Sequence, residues 1–216
     1  MRRLLSLLLS AALLLSLAAC GAEDGDAGDG SSSEVPATSD GDTSQTPVSI
    51  PFSLAVYPAY SLHPVLSTNR ANLTLADLLY EPLFLVDDTF QAVPVLCQSY
   101  TASEDKCVWT FTLRSDVTFS DGTPLTGRAV ADALNTARQS GSRFANRLWA
   151  VTAVTAGEGT VTVTLSQPNG DLPALLDIPI ASNDGDRPLG TGPYVLTGQD
   201  DALRLEARAD WWQDKP

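Results

Sequence analysis

Three cysteines, a single histidine and a late pair of tryptophans are the side chains of this 216-residue chain best suited to chemistry or recognition. Cys97 and Cys107 flank a polar turn and are candidates for a disulfide. With Glu104-Asp105 as the apex of a tight hairpin, Cys97 faces Thr112 and lies ~16 Å along the ladder from Cys107, against the ~7 Å a bridge spans between Cα atoms. A loose loop across 98–106 allows the bond, so both readings stand. A metal centre built from these thiols and the distant His63 lacks any zinc spacing. Phe119-Ser120-Asp121-Gly122-Thr123-Pro124 reads as a turn into a helix, with Asp121 structural rather than catalytic. Gly190-Thr191-Gly192-Pro193-Tyr194 allows unusual dihedrals, without the lysine spacing and following helix of a phosphate loop. Trp211 and Trp212 can stack on a ligand, although large aromatics read first as packing. With no serine elbow and only His63 as a potential imidazole base, no catalytic residue is expected, nor a cofactor or a metal.

Composition describes the frame that must hold these side chains. Hydrophobic residues make up 44% and charged residues 18%, with 26 acids against 13 bases and a net charge of -13. Such a field repels phosphate, which excludes nucleic acid and argues against anionic lipid as a partner. Residues 1–19 read as an export signal, with Arg2 and Arg3 ahead of a leucine-rich run and small residues before Cys20. The run from Leu4 to Ala19 is shorter than the ~20 residues that span a bilayer. Residues 20–48 are acidic and rich in Gly, Ser and Thr, too polar to offset the entropy of ordering, and read as a tether. Their acids lack the spacing of a calcium loop.

From 49 to 216 the pattern becomes foldable. Ser49 to Val56 reads as a strand, and Asn72 caps a helix containing Leu75, Leu78 and Leu79. Leu96 to Thr101 and Cys107 to Leu113 form a hairpin. Val130, Ala133, Leu134 and Ala137 fall on one stripe of a helix that Thr126 caps. Val151 to Thr155 pairs with Thr160 to Leu165, and Tyr194 to Leu196 with Leu203 to Arg208.

Six runs in order carry a resemblance. They are LLYEPLF at 78–84, PVLCQSYTASEDKCVWTFTLRSDVTFSDGTPLTG at 94–127, SRF at 142–144, VTVTLSQP at 161–168, GTGPYVL at 190–196 and ADWWQDKP at 209–216. The chain resembles the extracellular solute-binding proteins of family 5, the peptide and nickel receptors of ABC importers. The resemblance implies an α/β, periplasmic-binding-protein-like type II fold, with 49–216 as a partial first lobe of mixed β-sheet and flanking helices. Leu17-Ala18-Ala19-Cys20 is similar to a lipobox, which implies lipidation of Cys20 and anchoring on the extracytoplasmic face of the cell membrane. The implied partners are a peptide or small solute, and an ABC permease with its ATPase. Thr68, Asn69 and Arg70 are implied at the cleft mouth, and Arg143 and Phe144 in the segment that lines it. A guanidinium at 143 suits a carboxylate. His63 departs from the acid that often precedes proline in the first loop; it reads as a solvent-facing histidine or an altered rim. The stretch from Pro179 to Gly190 is short and acidic for the family, which leaves the local cleft edge open. Members are much longer, so a second lobe is expected beyond this sequence, and the chain alone is expected to bind peptide weakly. An exported hydrolase and a surface adhesion or sensing module are the competing classes.

Overall fold

The computed structural model describes residues 52–182, 185, 187–199 and 202–213. The expected signal, Cys20 and the acidic tether lie outside them.

The Cys97–Leu113 hairpin and its neighbours form one layer. Strands β3 (Cys97–Ala102), β4 (Val108–Leu113), β5 (Val151–Gly157) and β6 (Thr160–Leu165) make a four-stranded sheet in the order β3-β4-β6-β5. Alternate residues of β4 and β6 are buried, so Trp109, Phe111 and Leu113 share a face with Val161, Val163 and Leu165. Helix α2 (Gly127–Ala137) covers that face with Val130, Leu134 and Ala137, all nearly sealed from solvent. Thr126 caps it by accepting a hydrogen bond from the Ala129 amide, as the sequence predicts. Because β6 lies between β4 and β5, the β4-α2-β5 crossover is split, and every ladder among the described residues is antiparallel. A small hairpin of β1 (Phe84–Val86) and β2 (Ala92–Pro94) and a 3₁₀ turn at Leu172–Leu175 complete this first core.

Helix α1 (Arg70–Leu79) and the hairpin β7 (Tyr194–Thr197) with β8 (Arg204–Ala207) surround a second, smaller core. Leu62, Leu75, Leu79 and Tyr80 are buried there, with Leu54, Val56, Tyr194, Leu196 and Leu205 packed at its margin. The chain passes between the cores near Pro82 and Pro179, which form an isolated antiparallel bridge beside the Ile180 amide and the Glu81 carbonyl, 3.0 Å apart.

Three local expectations change. Residues 52–56 form no strand; they lie against the second core without a ladder, while Ser49–Pro51 fall outside the described residues. Asn69, not Asn72, caps α1: its backbone is extended and its Oδ1 accepts from the Asn72 amide at 3.0 Å. Asn72 is instead buried, its Oδ1 accepting from the Tyr57 amide at 2.8 Å and its Nδ2 donating to the Tyr57 and Tyr60 carbonyls. The β3-β4 register also shifts. Tyr100 faces Phe111, and a bulge then sets Cys97 opposite Leu113, because the turn from Ser103 to Cys107 is wider than a tight apex and places Lys106 at a φ of 57°. Cys97 and Cys107 are both free thiols.

Candidate functional site

A polar cavity of about 350 Å³ lies between α2 and the second core. Helix α2 turns its apolar stripe to the sheet, so its opposite stripe presents Arg128, Asp132, Asn135 and Thr136, with Gln139 just past its end. His63, Ala181 and Ser182 form the facing wall. The lining therefore draws on both cores and on segments far apart in sequence. Arg128 and Asp132 are joined at 2.7 Å across one helical turn, and both remain largely exposed. The lining thus offers amide, hydroxyl and imidazole groups beside one ion pair, an arrangement suited to hydrogen bonding.

His63 is buried, contrary to the solvent-facing expectation. Its Nδ1 accepts from the Val65 and Leu66 amides at 3.1 and 3.3 Å, which assigns the lone pair to Nδ1 and a proton to Nε2 in the neutral ring. The imidazole closes the turn after Leu62 and presents one edge to the cavity. Pro64 follows it, and the Ser67 amide donates to the His63 carbonyl, so the whole bend is tied locally.

None of the five residues expected to contact solute lines this cavity. Thr68 and Arg70 are exposed and Asn69 serves the α1 cap. Phe144 is packed in the first core. The Arg143 guanidinium lies 4.5 Å from the centre of the Phe144 ring, and Arg147 stacks on the same ring at 5.2 Å. Arg147 is paired with Asp177, whereas Arg143 makes no hydrogen bond or ion pair among the described residues. Partial burial lowers the Arg143 pKa, the neighbouring Arg147 charge adds to this, and Asp77 and Asp177 oppose it. Asp77 stands near the end of α1, about 10 Å along the helix from Arg70 at ~1.5 Å per residue. The structure thus sets Arg143 on the Phe144 ring and within reach of the Asp77 charge.

Other chemically capable groups are engaged in local bonds or packing. Asp121 Oδ1 accepts from the Thr123 amide at 2.9 Å and from its hydroxyl at 2.6 Å; these bonds hold its carboxyl below the usual range. Burial pushes the Cys97 thiol up to about 11, and its Sγ donates to the Ser99 carbonyl. Gly190 and Gly192 press against the end of α1, where an added Cβ at 190 would stand 1.9 Å from the Leu79 carbonyl oxygen. These glycines serve close packing, and the Gly192 amide donates to that same oxygen. No group of three metal-ligating side chains occurs among the described residues.

Sequence reasoning missed a buried carboxylate. Glu81 accepts from Trp212 Nε1 at 2.8 Å and, more weakly, from Gln213 Nε2 at 3.4 Å. The signal was present as a lone acid inside the apolar run at 78–84. Burial raises its pKa; the Trp212 bond, nearby Thr191 and Trp211, and the Arg208 charge pull it down. The Thr191 hydroxyl and Trp211 indole N–H are buried close enough to act on this carboxylate but stand outside hydrogen-bond geometry. Trp212 is gripped on its face by Arg114 at 4.4 Å, so the tryptophan pair packs, as its residue types suggested.

The chain is similar to known proteins in sequence and fold. The family described as bacterial extracellular solute-binding proteins, family 5 Middle, matches residues 91–216. The chain is 30% identical over 160 residues to the nickel-binding periplasmic protein of Escherichia coli strain K12, covering 64% of this chain and 30% of that protein. It is 28% identical over 192 residues to the glutathione-binding protein GsiB of Salmonella typhi, covering 74% and 38%. Among solved structures, the PBP/SBP MoaA from A. tumefacien R10 in complex with mannopinic acid aligns with a TM-score of 0.65 at 27% identity, over 72% of this chain and 36% of that one. The chain spans about a third of the length of the proteins it matches. The solved relatives have the type II periplasmic-binding-protein fold, of which this chain covers part.

Proposed function

Because the chain belongs to the bacterial extracellular solute-binding proteins of family 5, we propose that it serves as the receptor of an ABC importer, capturing a peptide or a nickel chelate outside the membrane and passing it to a permease driven by an ATPase. The observation that carries this reading is the family match over 91–216, which spans α2 and its polar stripe as well as Arg143. The names of its relatives supply the solute classes, nickel in one case and the tripeptide glutathione in another. Capture needs no bond-breaking group. Affinity comes from contacts made better in a closed state than in an open one, and the permease reads the closed state.

Arg143 is the residue on this chain best suited to a solute carboxylate. Its guanidinium has an aromatic platform beneath it and no acid paired to it among the described residues. The exposed Thr68 and Arg70 border the same lobe, and Cys20 fastens the protein to lipid by its thioether. Saturation-transfer NMR with glutathione tests the binding. The expected result is transfer to an unmodified peptide that falls by about tenfold in affinity for Arg143→Ala, the loss of one charge-assisted pair. Cleavage of the peptide, or binding indifferent to the substitution, would overturn the corresponding part of the reading. For the anchor, wild-type protein is expected in the detergent phase of a two-phase extraction and Cys20→Ser in the aqueous phase; identical partition would remove Cys20 from the account.

A further inference from the structure

The passage between the two cores is narrow, and Glu81 stands on it. Tyr80 before it belongs to the second core and Leu83 after it to the first, while the return passage from Ile178 to Ala181 runs alongside. A carboxylate only 7% exposed at such a point is costly unless it has partners. Its best partner comes from a third segment. After β8, whose Leu205 packs on the second core, the chain continues through Arg208 to Trp212, which packs against the first core. The Arg208 guanidinium fixes that route by donating to the Thr118 hydroxyl and carbonyl, the Phe119 carbonyl and both Asp210 oxygens. Trp212 then donates to Glu81 under the Arg114 guanidinium, which is itself paired with Asp116.

We propose that Glu81 is a positioning residue whose bond to Trp212 straps the segment 208–213 across the passage, and so fixes the angle between the cores and the width of the polar cavity they share. The cavity depends on that angle because Ala133 of its lining packs in the first core and Ala181 in the second. The two extended stretches with their Pro82–Pro179 bridge are joined elsewhere by the Ser120 amide donating to the Gly190 carbonyl and by Arg208 on Thr118 and Phe119. The Glu81–Trp212 bond is the one that ties the 208–213 segment directly to the passage. The charged groups around the carboxylate are Arg208 directly, with Asp210 behind it, and Arg114 with Asp116 across the Trp212 ring. The strap is built from side chains of this chain alone, so it does not rest on the importer reading.

Residual dipolar couplings of the full chain measure the angle. For the wild type, amides of both cores are expected to fit one alignment tensor, and Glu81→Gln, which keeps an acceptor for the indole, is expected to do the same. Glu81→Leu is expected to split the fit into two tensors, as is Trp212→Phe, which leaves Glu81 in place and serves should the first variant fail to fold. A single shared tensor in Trp212→Phe would overturn the proposal. A second readout is tryptophan emission against pH: a titration midpoint above the ordinary carboxylate value is expected in the wild type and absent from Glu81→Gln. The same titration persisting in Glu81→Gln would overturn it equally.

Discussion

The two cores differ in how far the chain must travel to make them. In the first, neighbours in sequence mostly become neighbours in space: β3 with β4, β5 with β6, and α2 laid on the β5-β6 hairpin that follows it. In the second, α1 and the 52–56 segment must wait for β7 and β8, more than a hundred residues later. The first core buries Phe84, Phe111 and Phe119 almost completely. The second leaves an apolar groove of about 640 Å³ among Phe52, Leu54, Leu78, Tyr194 and Leu205. Local pairing seals a core early and from within; distant pairing leaves packing to be finished by whatever arrives last.

The contrast is sharpest under truncation. Phe111→Ala should cost about 3–5 kcal/mol in urea denaturation, since it empties a filled site, whereas Leu205→Ala beside the groove should cost under ~1.5 kcal/mol. Equal losses would break the comparison. Asn72→Ala comes next. It removes the buried amide that ties residues 57–61 to α1, and should cost about 2–3 kcal/mol while speeding exchange of the Tyr57 amide. An unaltered Tyr57 exchange rate would show that the second core holds this segment by apolar contact alone.

Glu81, between the cores, gives a pH signature of definite sign. Burial raises its pKa in the folded protein, so the folded state binds the proton more readily than the unfolded chain. The resulting stability is full below the unfolded value near 4.5 and is lost as pH rises through the folded pKa. Relative to the wild type, Glu81→Gln should therefore gain in melting temperature as pH climbs above about 4.5. A difference independent of pH would contradict the burial. Smallest of all, Arg128→Ala opens an exposed pair on the cavity rim and should leave the urea midpoint essentially unchanged.

Much of the first core was legible because its signals are local. Thr126 followed by apolar residues at helical spacing announces α2, and the alternation in Thr160 to Leu165 announces β6. Membership of the solute-binding family and a partial type II fold were legible too, from short words in the right order. What failed were choices settled at a distance. Asn69 and Asn72 have the same side chain, and only the loop at 57–61 decides which of them caps α1. The β3-β4 register depended on how many residues the turn at 103–107 consumes. The cavity was half-visible, since the polar stripe of α2 is the complement of its apolar one. What faces that stripe comes from His63 and Ser182, which no periodicity links to it.

The prolines at the passage between the cores have one more effect. Pro82 and Pro179 sit side by side where two extended stretches meet, and neither has an amide hydrogen to offer. A stray strand from another molecule finds no regular row of donors there to zip onto, so this junction is a poor template for clumping.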